Sequence, residues 1–147
     1  MNLSINFTLE EFTASDLAKR KGIANTLPKD LIAEAGKTCQ MMEDILNFLG
    51  RPIVITSGYR SIELNQAVGS SDRSDHVKAM AIDFKCPEFG TPYQIAMALK
   101  ANIDALGIGQ IIYEFGSWIH VSTRTPTKTV NRVITIDKAG TRLGIQK

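Results

Sequence analysis

Residues 110–122 read QIIYEFGSWIHVS, two β-branched and aromatic runs on either side of a Phe-Gly-Ser loop, and the length of that loop decides which side chains share a face. If the loop is Phe115, Gly116 and Ser117, Glu114 faces Trp118 across a hairpin. The pleat then sets Ile112, Glu114, Trp118, His120 and Ser122 on one face and Ile111, Tyr113, Phe115, Ile119 and Val121 on the other. The second set is nearly all apolar and suits a core. A two-residue loop at Gly116 and Ser117 would move Glu114 onto that core face beside Ile119 and Val121, so the three-residue loop is preferred. It brings a carboxylate and an imidazole to the same surface.

Outward from the hairpin, AMAIDF (79–84) is strand-like. PIVITSGYR (52–60) is a β-branched run ending in a glycine turn, a buried strand that delivers Tyr59 and Arg60 to an exposed edge. RVITID (132–137) is a late strand followed by a turn at Ala139 and Gly140. Between these lie helical signals. Residues 7–22 read as two short helical turns, the second starting at Ser15 and stopped by Gly22. A long helix follows, with Thr26 as its cap, Pro28 in its first turn and Gly50 at its end. Leu31, Ala35, Thr38, Met42, Ile45 and Leu49 fall on one side of it at helical spacing. Ser61 caps a short helix over SIELNQAV, and Thr91 with Pro92 opens a second principal helix running to about Leu106, where Gly107 stops it. Two principal helices segregated from hairpin-connected strands predict an α+β fold with a mainly antiparallel sheet. No internal period or linker divides the chain, so residues 1–147 are expected to form a single domain.

Composition narrows the chemistry. With 147 residues, 44% of them apolar, the chain can bury a core without disulfides or a structural metal, so a metal would serve chemistry rather than folding. The 17 Lys and Arg against 15 Asp and Glu form no block of like charge, which predicts no nucleic-acid partner. Cys39 and Cys86 are far apart and form no C-x-x-C pair; two buried free thiols are expected. The start, MNLSINFTLEEF, lacks the basic and apolar regions of a signal peptide, and no run reaches the length of a membrane span, so neither export nor membrane insertion is expected.

The chain has only two histidines, His76 and His120, and each adjoins a strand-like segment. Two histidines and a carboxylate make the ligand set of many hydrolytic zinc sites, with a fourth position left open. Asp83 lies seven residues after His76 in SDHVKAMAIDF. On a continuous strand the two would stand about 23 Å apart on opposite faces, and on a helix about 10 Å apart along the axis. Shared coordination therefore demands a bend after His76 that points Asp83 back. Without it His76 is a surface histidine in a serine-rich loop and Asp83 an aspartate ending a strand. Glu114 is the candidate base for a metal-activated water, or else a solvated hairpin glutamate. Asp72 and Asp75 lie nearer His76, but turn roles in a polar loop explain them. Arg60 could clamp a substrate carboxylate or steady an oxyanion, or stand as an ordinary surface arginine.

ITSGYRSIELNQAVGSSDRSDHVKAMAIDF followed by QIIYEFGSWIHVS resembles the zinc D-alanyl-D-alanine carboxypeptidase family of peptidoglycan peptidases, particularly its small phage and prophage members, to which FTLEEFTASDLAKRKGIANTLP is also similar. The resemblance covers residues 7–123. It implies that His76, Asp83 and His120 bind Zn²⁺, that Arg60 contacts substrate, and that Ser74 is a substrate contact or a hydroxyl supporting His76. Trp118 would line the substrate groove or cover the site. The fold implied is the α+β one shared with the Hedgehog signalling domain, and the substrates are the stem peptides of peptidoglycan, cut at terminal D-alanine or internally by a monomer. With no export signal, this would be a phage or prophage product made in the bacterial cytoplasm, acting on the cell wall after release or as a virion component. Two features depart from the family pattern. Many members have glycine where this chain has Ala79, and many carry an acid or histidine at the positions held here by Ser117 and Trp118, whereas Glu114 matches the small phage-type branch. Those departures leave room for a phage structural or wall-binding module that keeps zinc without turnover, or for a metal-free histidine pair.

Overall fold

A computed structural model describes residues 1–147. Its centre is one six-stranded sheet, built from β1 (Val54–Ser57), β2 (Ala81–Lys85), β3 (Gln110–Glu114), β4 (Trp118–Ser122), β5 (Val133–Asp137) and β6 (Gly140–Leu143) in the order β1-β2-β4-β3-β5-β6. All neighbours are antiparallel except β3 and β5. The fold is therefore the expected α+β one, with a single parallel pair at the C-terminal side and a last strand, β6, that the polar run GTRL did not announce.

Hairpin β3–β4 has the three-residue loop: Glu114 stands opposite Trp118 and Ile112 opposite His120. Two aligned rows, Ile82–Val121–Ile111 and Phe84–Ile119–Tyr113, then present one apolar face. This face joins a buried cluster with Ala35, Cys39, Met42, Ile45 and Leu49 of helix α3 (Ile32–Leu49) and with Ile95, Ala96 and Leu99 of helix α5 (Pro92–Ala101). Removing each of the Leu, Ile, Phe and Met side chains among these from water contributes about 1.5–3 kcal/mol. Phe115, expected on the core face, is half exposed. Its φ of 53° and the 64° of Gly116 make the turn, and a left-handed residue leaves the alternation of the pleat.

The helices follow their caps. Thr8 and Glu11 form a reciprocal capping box on α1 (Leu9–Thr13), Ser15 caps α2 (Asp16–Lys21), which Gly22 ends, and Ser61 caps α4 (Ile62–Ala67). Thr91 and Gln94 form a second capping box on α5. Two boundaries differ from expectation. Thr26 does not cap α3: Pro28 is extended and opens a 3₁₀ turn at Lys29–Leu31, and α3 begins only at Ile32. A residue before proline is held extended, and Leu27 uses that conformation to bury its side chain. Helix α5 stops at Ala101 rather than near Leu106, because the Asn102 amide N–H turns back to the Leu99 carbonyl and its side-chain amide donates to the Ala98 carbonyl at 3.1 Å. Gly107, left-handed at φ 68°, closes the irregular turns that follow.

Cys39 and Cys86 are buried and unpaired, as expected, and burial pushes the Cys39 thiol up to about 12. Glu43, inside α3, is buried too. It accepts from Ser4 Oγ (2.5 Å), the Asn6 amide (2.6 Å) and Asn6 Nδ2 (2.6 Å), which ties the N-terminal segment to the helix. No helix is long and apolar enough to cross a membrane.

Candidate active site

The sheet face opposite the core carries a second row, in which Ser57, Asp83, His120 and Ile112 stand opposite one another across β1, β2, β4 and β3. Thr56 has no partner in this row: two residues of β1 face one of β2 there, a bulge that turns the end of β1 toward the site. Directly opposed residues on antiparallel strands lie about 4.5–5.5 Å apart, so Asp83 and His120 meet through pairing alone.

His76 reaches them through a tight reversal. The amides of Lys78 and Met80 both donate to the Asp75 carbonyl, at 3.1 and 3.0 Å, and that of Val77 to the Ser74 carbonyl. The bend demanded by the sequence is completed at Ala79 with φ 60°. An alanine in this left-handed conformation costs about 1 kcal/mol relative to glycine. The surroundings hold it there, since Ala79 is fully buried and its carbonyl accepts from Thr38 Oγ1 of α3 at 2.7 Å.

At the centre, Asp83 Oδ1 lies 3.1 Å from His76 Nε2 and 2.9 Å from His120 Nδ1, with the two imidazole rings edge to face at 5.0 Å. One ligand atom from each of the three lies within 4.8 Å of the others, and all three residues are buried. The tautomers suit this cluster to a cation. His76 Nδ1 faces the Gly58 carbonyl at 2.6 Å. A carbonyl only accepts, so that nitrogen carries the proton. In neutral His76 the Nε2 lone pair then points at a carboxylate oxygen, two acceptors facing one another with no hydrogen between them. Burial lowers the His76 pKa, against the pull of Asp83, and so disfavours the doubly protonated ring that would resolve the clash. A divalent ion resolves it, and the set of two nitrogens and a carboxylate is one that zinc accepts.

The neighbouring charges are tuned by the same burial. Burial raises the Asp83 pKa, but both imidazoles lower it further, and the net direction is down. Burial lowers that of His120, yet its hydrogen bond to Asp83 and the charges of Asp83 and Glu114 carry it upward. Glu114 Oε1 lies 3.8 Å from His120 Nδ1, and burial together with the Asp83 charge raises its pKa.

Arg60, Ser74 and Trp118 all line the same open cavity of about 580 Å³ as His76, Asp83 and Glu114. Arg60 is half buried, its Nε is enclosed without a partner, and its charge acts on Asp83 and Glu114. Its backbone is fixed by N–H donation to the His76 carbonyl (3.1 Å), and Asn25 brackets it, donating to the Tyr59 carbonyl and accepting from the Ser61 amide. Tyr59, expected at an exposed edge, is instead buried: its amide donates to the Phe12 carbonyl at 2.7 Å, and the end of α1 covers it. Ser74 Oγ accepts from the His76 amide at 3.2 Å, which makes it a support of the histidine's loop. Trp118 is half buried, with Phe115 packed 5.7 Å from it and its indole N–H enclosed without a partner.

Asp75 was expected to serve a polar turn and does not. It is buried, with Oδ2 accepting from Ser122 Oγ (2.8 Å) and Oδ1 from Arg124 Nε (2.7 Å). The signal that could have found Arg124 is its position two residues beyond Ser122, on the same alternation as His120.

The family model described as Peptidase M15 matches residues 5–122. A search of curated proteins gives no match.

Proposed function

Because the chain belongs to the Peptidase M15 family, and so to the metal-dependent peptidases, we propose that it is a zinc hydrolase of peptide bonds in peptidoglycan stem peptides. The observation that carries this reading is the convergence of His76 Nε2 and His120 Nδ1 on a single oxygen of Asp83 in the wall of an open cavity, with Glu114 alongside. Zinc held by these three residues would polarise the scissile carbonyl and acidify the attacking water.

The protein's own groups supply the rest. Glu114 takes the proton from the water on a carboxylate oxygen and returns it to the nitrogen of the departing amine. Its raised pKa brings its proton affinity nearer to working pH than that of an exposed glutamate. Arg60 enters from the bulged end of β1, where its guanidinium can pair with a substrate carboxylate or with the oxyanion of the tetrahedral intermediate. Trp118 and Ile112 form the wall on which the peptide backbone lies. The restriction to peptidoglycan rests on the resemblance of residues 7–123 to peptidases of that polymer. In this reading the protein is a monomer of phage or prophage origin that meets the wall after release or as part of a virion.

The test is to incubate zinc-loaded protein with purified peptidoglycan and weigh the soluble fragments. Loss of a terminal D-alanine or an internal cut supports the reading, and the fragment masses distinguish the two. A protein that carries one zinc per chain, adheres to the wall and releases no fragment would be a binding module instead.

A further inference from the structure

One side of the cavity is built with care that the chemistry above does not use. Asp75 is only 5% exposed, and each of its oxygens has a committed donor, Ser122 Oγ on one and Arg124 Nε on the other. Ser122 Oγ also accepts from the Arg124 amide at 3.1 Å, so carboxylate, hydroxyl and arginine close into a ring. Arg124 spends only its Nε on this ring. Its two terminal nitrogens make no hydrogen bond to the protein, and its side chain is 43% exposed where it lines the cavity. Arg73, exposed, lines the same wall. Asp75 is already bound to Arg124 and Asp83 lies between the histidines, while Glu114 lines the same cavity beside His120.

We propose that Arg124, held in place by Asp75 and Ser122 and assisted by Arg73, forms a second carboxylate subsite, making the preferred substrate a peptide with an anionic side chain or free α-carboxylate near the bond that is cut. The proposal deepens the hydrolase reading and rests on it for the identity of the ligand as a peptide. Position sets the spacing. Ser122 follows His120 by two residues on β4, roughly 7 Å, which is about two residues of an extended peptide. Asp75 is the residue next to His76, so the ring also adjoins the second imidazole. A guanidinium fixed through Nε offers its remaining fork to a carboxylate in two parallel hydrogen bonds, and its side-chain entropy is already spent on the Asp75 contact. Arg60 lines the same cavity, where Asp83 and Glu114 act on its charge. A substrate with two negative groups could engage both arginines within the cavity that holds the candidate metal ligands.

The experiment uses zinc-loaded full-length protein and a panel of synthetic stem-like hexapeptides in pairs, each residue in turn being glutamate or glutamine and the C-terminus free acid or amide. Hydrolysis is followed by mass, and binding of the same peptides by calorimetry. At one position about two residues from the cut, glutamate should be preferred over glutamine by about tenfold or more, the size expected for a hydrogen bond to a charged group. The preference should appear in KM rather than kcat. The variant Arg124→Gln should erase it. Since that change leaves the buried Asp75 carboxylate without its charge partner, the double variant Asp75→Asn/Arg124→Gln, which removes both charges, is measured beside it. A purely structural role for the pair would leave the glutamate-to-glutamine ratio unmoved. Equal rates and affinities for every pair in the native protein, or a preference that survives in the double variant, overturn the subsite and leave the hydrolase reading intact. A binding preference that the variants lose, in a protein that cleaves nothing, upholds the subsite and overturns the hydrolase. Neither binding nor cleavage of any peptide overturns both.

Discussion

Two residues in the site carry separable costs and roles. Glu114 is a carboxylate beside the metal ligands that is neither between the two imidazoles nor, like Asp75, paired with an arginine, and burial with the Asp83 charge raises its pKa. Glu114→Gln keeps the shape and removes the base. It should lower kcat on peptidoglycan fragments by about 10²- to 10⁴-fold while metal content, read by elemental analysis, stays at the native level. A variant that retains its rate would take Glu114 out of the mechanism. Ala79 is different, since it bears on folding. Glycine there would relieve about 1 kcal/mol of left-handed strain and forfeit about 0.8 kcal/mol from a buried methyl. These nearly cancel, so Ala79→Gly should shift the denaturation midpoint by less than about 1 kcal/mol in stability. A β-branched residue at the same φ in a filled core, Ala79→Val, should cost about 2 kcal/mol or more.

At the scale of elements, the site depends on how closely α1 approaches the turn after β1. A Cβ on Gly58 would fall 2.2 Å from the Phe12 carbonyl oxygen and 3.0 Å from its carbon. Backbone cannot swing aside as a side-chain tip can, so α1 or the turn must move. The same residue's carbonyl receives the His76 Nδ1 proton at 2.6 Å and so selects the tautomer that leaves Nε2 for the metal. Gly58→Ala therefore couples two losses. Stability should fall by about 1–3 kcal/mol in denaturant titration, and zinc affinity, by chelator competition, should fall by about 10- to 100-fold, as for other losses of a ligand's supporting contact. Unchanged affinity in a destabilised variant would separate the histidine's orientation from the packing of α1.

For the molecule as a whole, metal and protons compete for one cluster. Only neutral imidazole ligates, so uptake must displace any proton held on the histidines. His76 holds its proton weakly, since burial depresses it, and Asp83 stays ionised because the imidazoles hold it down. His120, raised by its hydrogen bond and by the Asp83 and Glu114 charges over the opposing effect of burial, is the group that competes. Zinc affinity should therefore weaken as pH falls through the raised His120 value, beginning above the ordinary imidazole pKa of about 6.5, by close to one proton per ion. Affinity that is flat across that range would assign the proton elsewhere. Metal that binds only the folded chain also stabilises it by mass action, by about 2.7 kcal/mol at a hundredfold excess over Kd. Thermal denaturation should show a rise of melting temperature with zinc in the native protein and none in His120→Ala.

What the chain determined by itself was whatever depends on neighbours in sequence. The period-two alternation in QIIYEFGSWIHVS set the hairpin register and with it the placing of Glu114 and His120 on one face. The caps Ser15, Ser61 and Thr91 started their helices, and two histidines and an aspartate marked a candidate metal site. Tertiary structure decided the rest, because it turns on groups far apart in the chain. The late start of α3 follows from burial of Leu27, and the burial of Tyr59 from the end of α1. The parallel docking of β5 on β3 joins segments some twenty residues apart. Asp75 read as a turn aspartate until Ser122 and Arg124, nearly fifty residues away, were brought against it. A buried charge finds its partner only when the chain has closed around it, and no local pattern records that meeting.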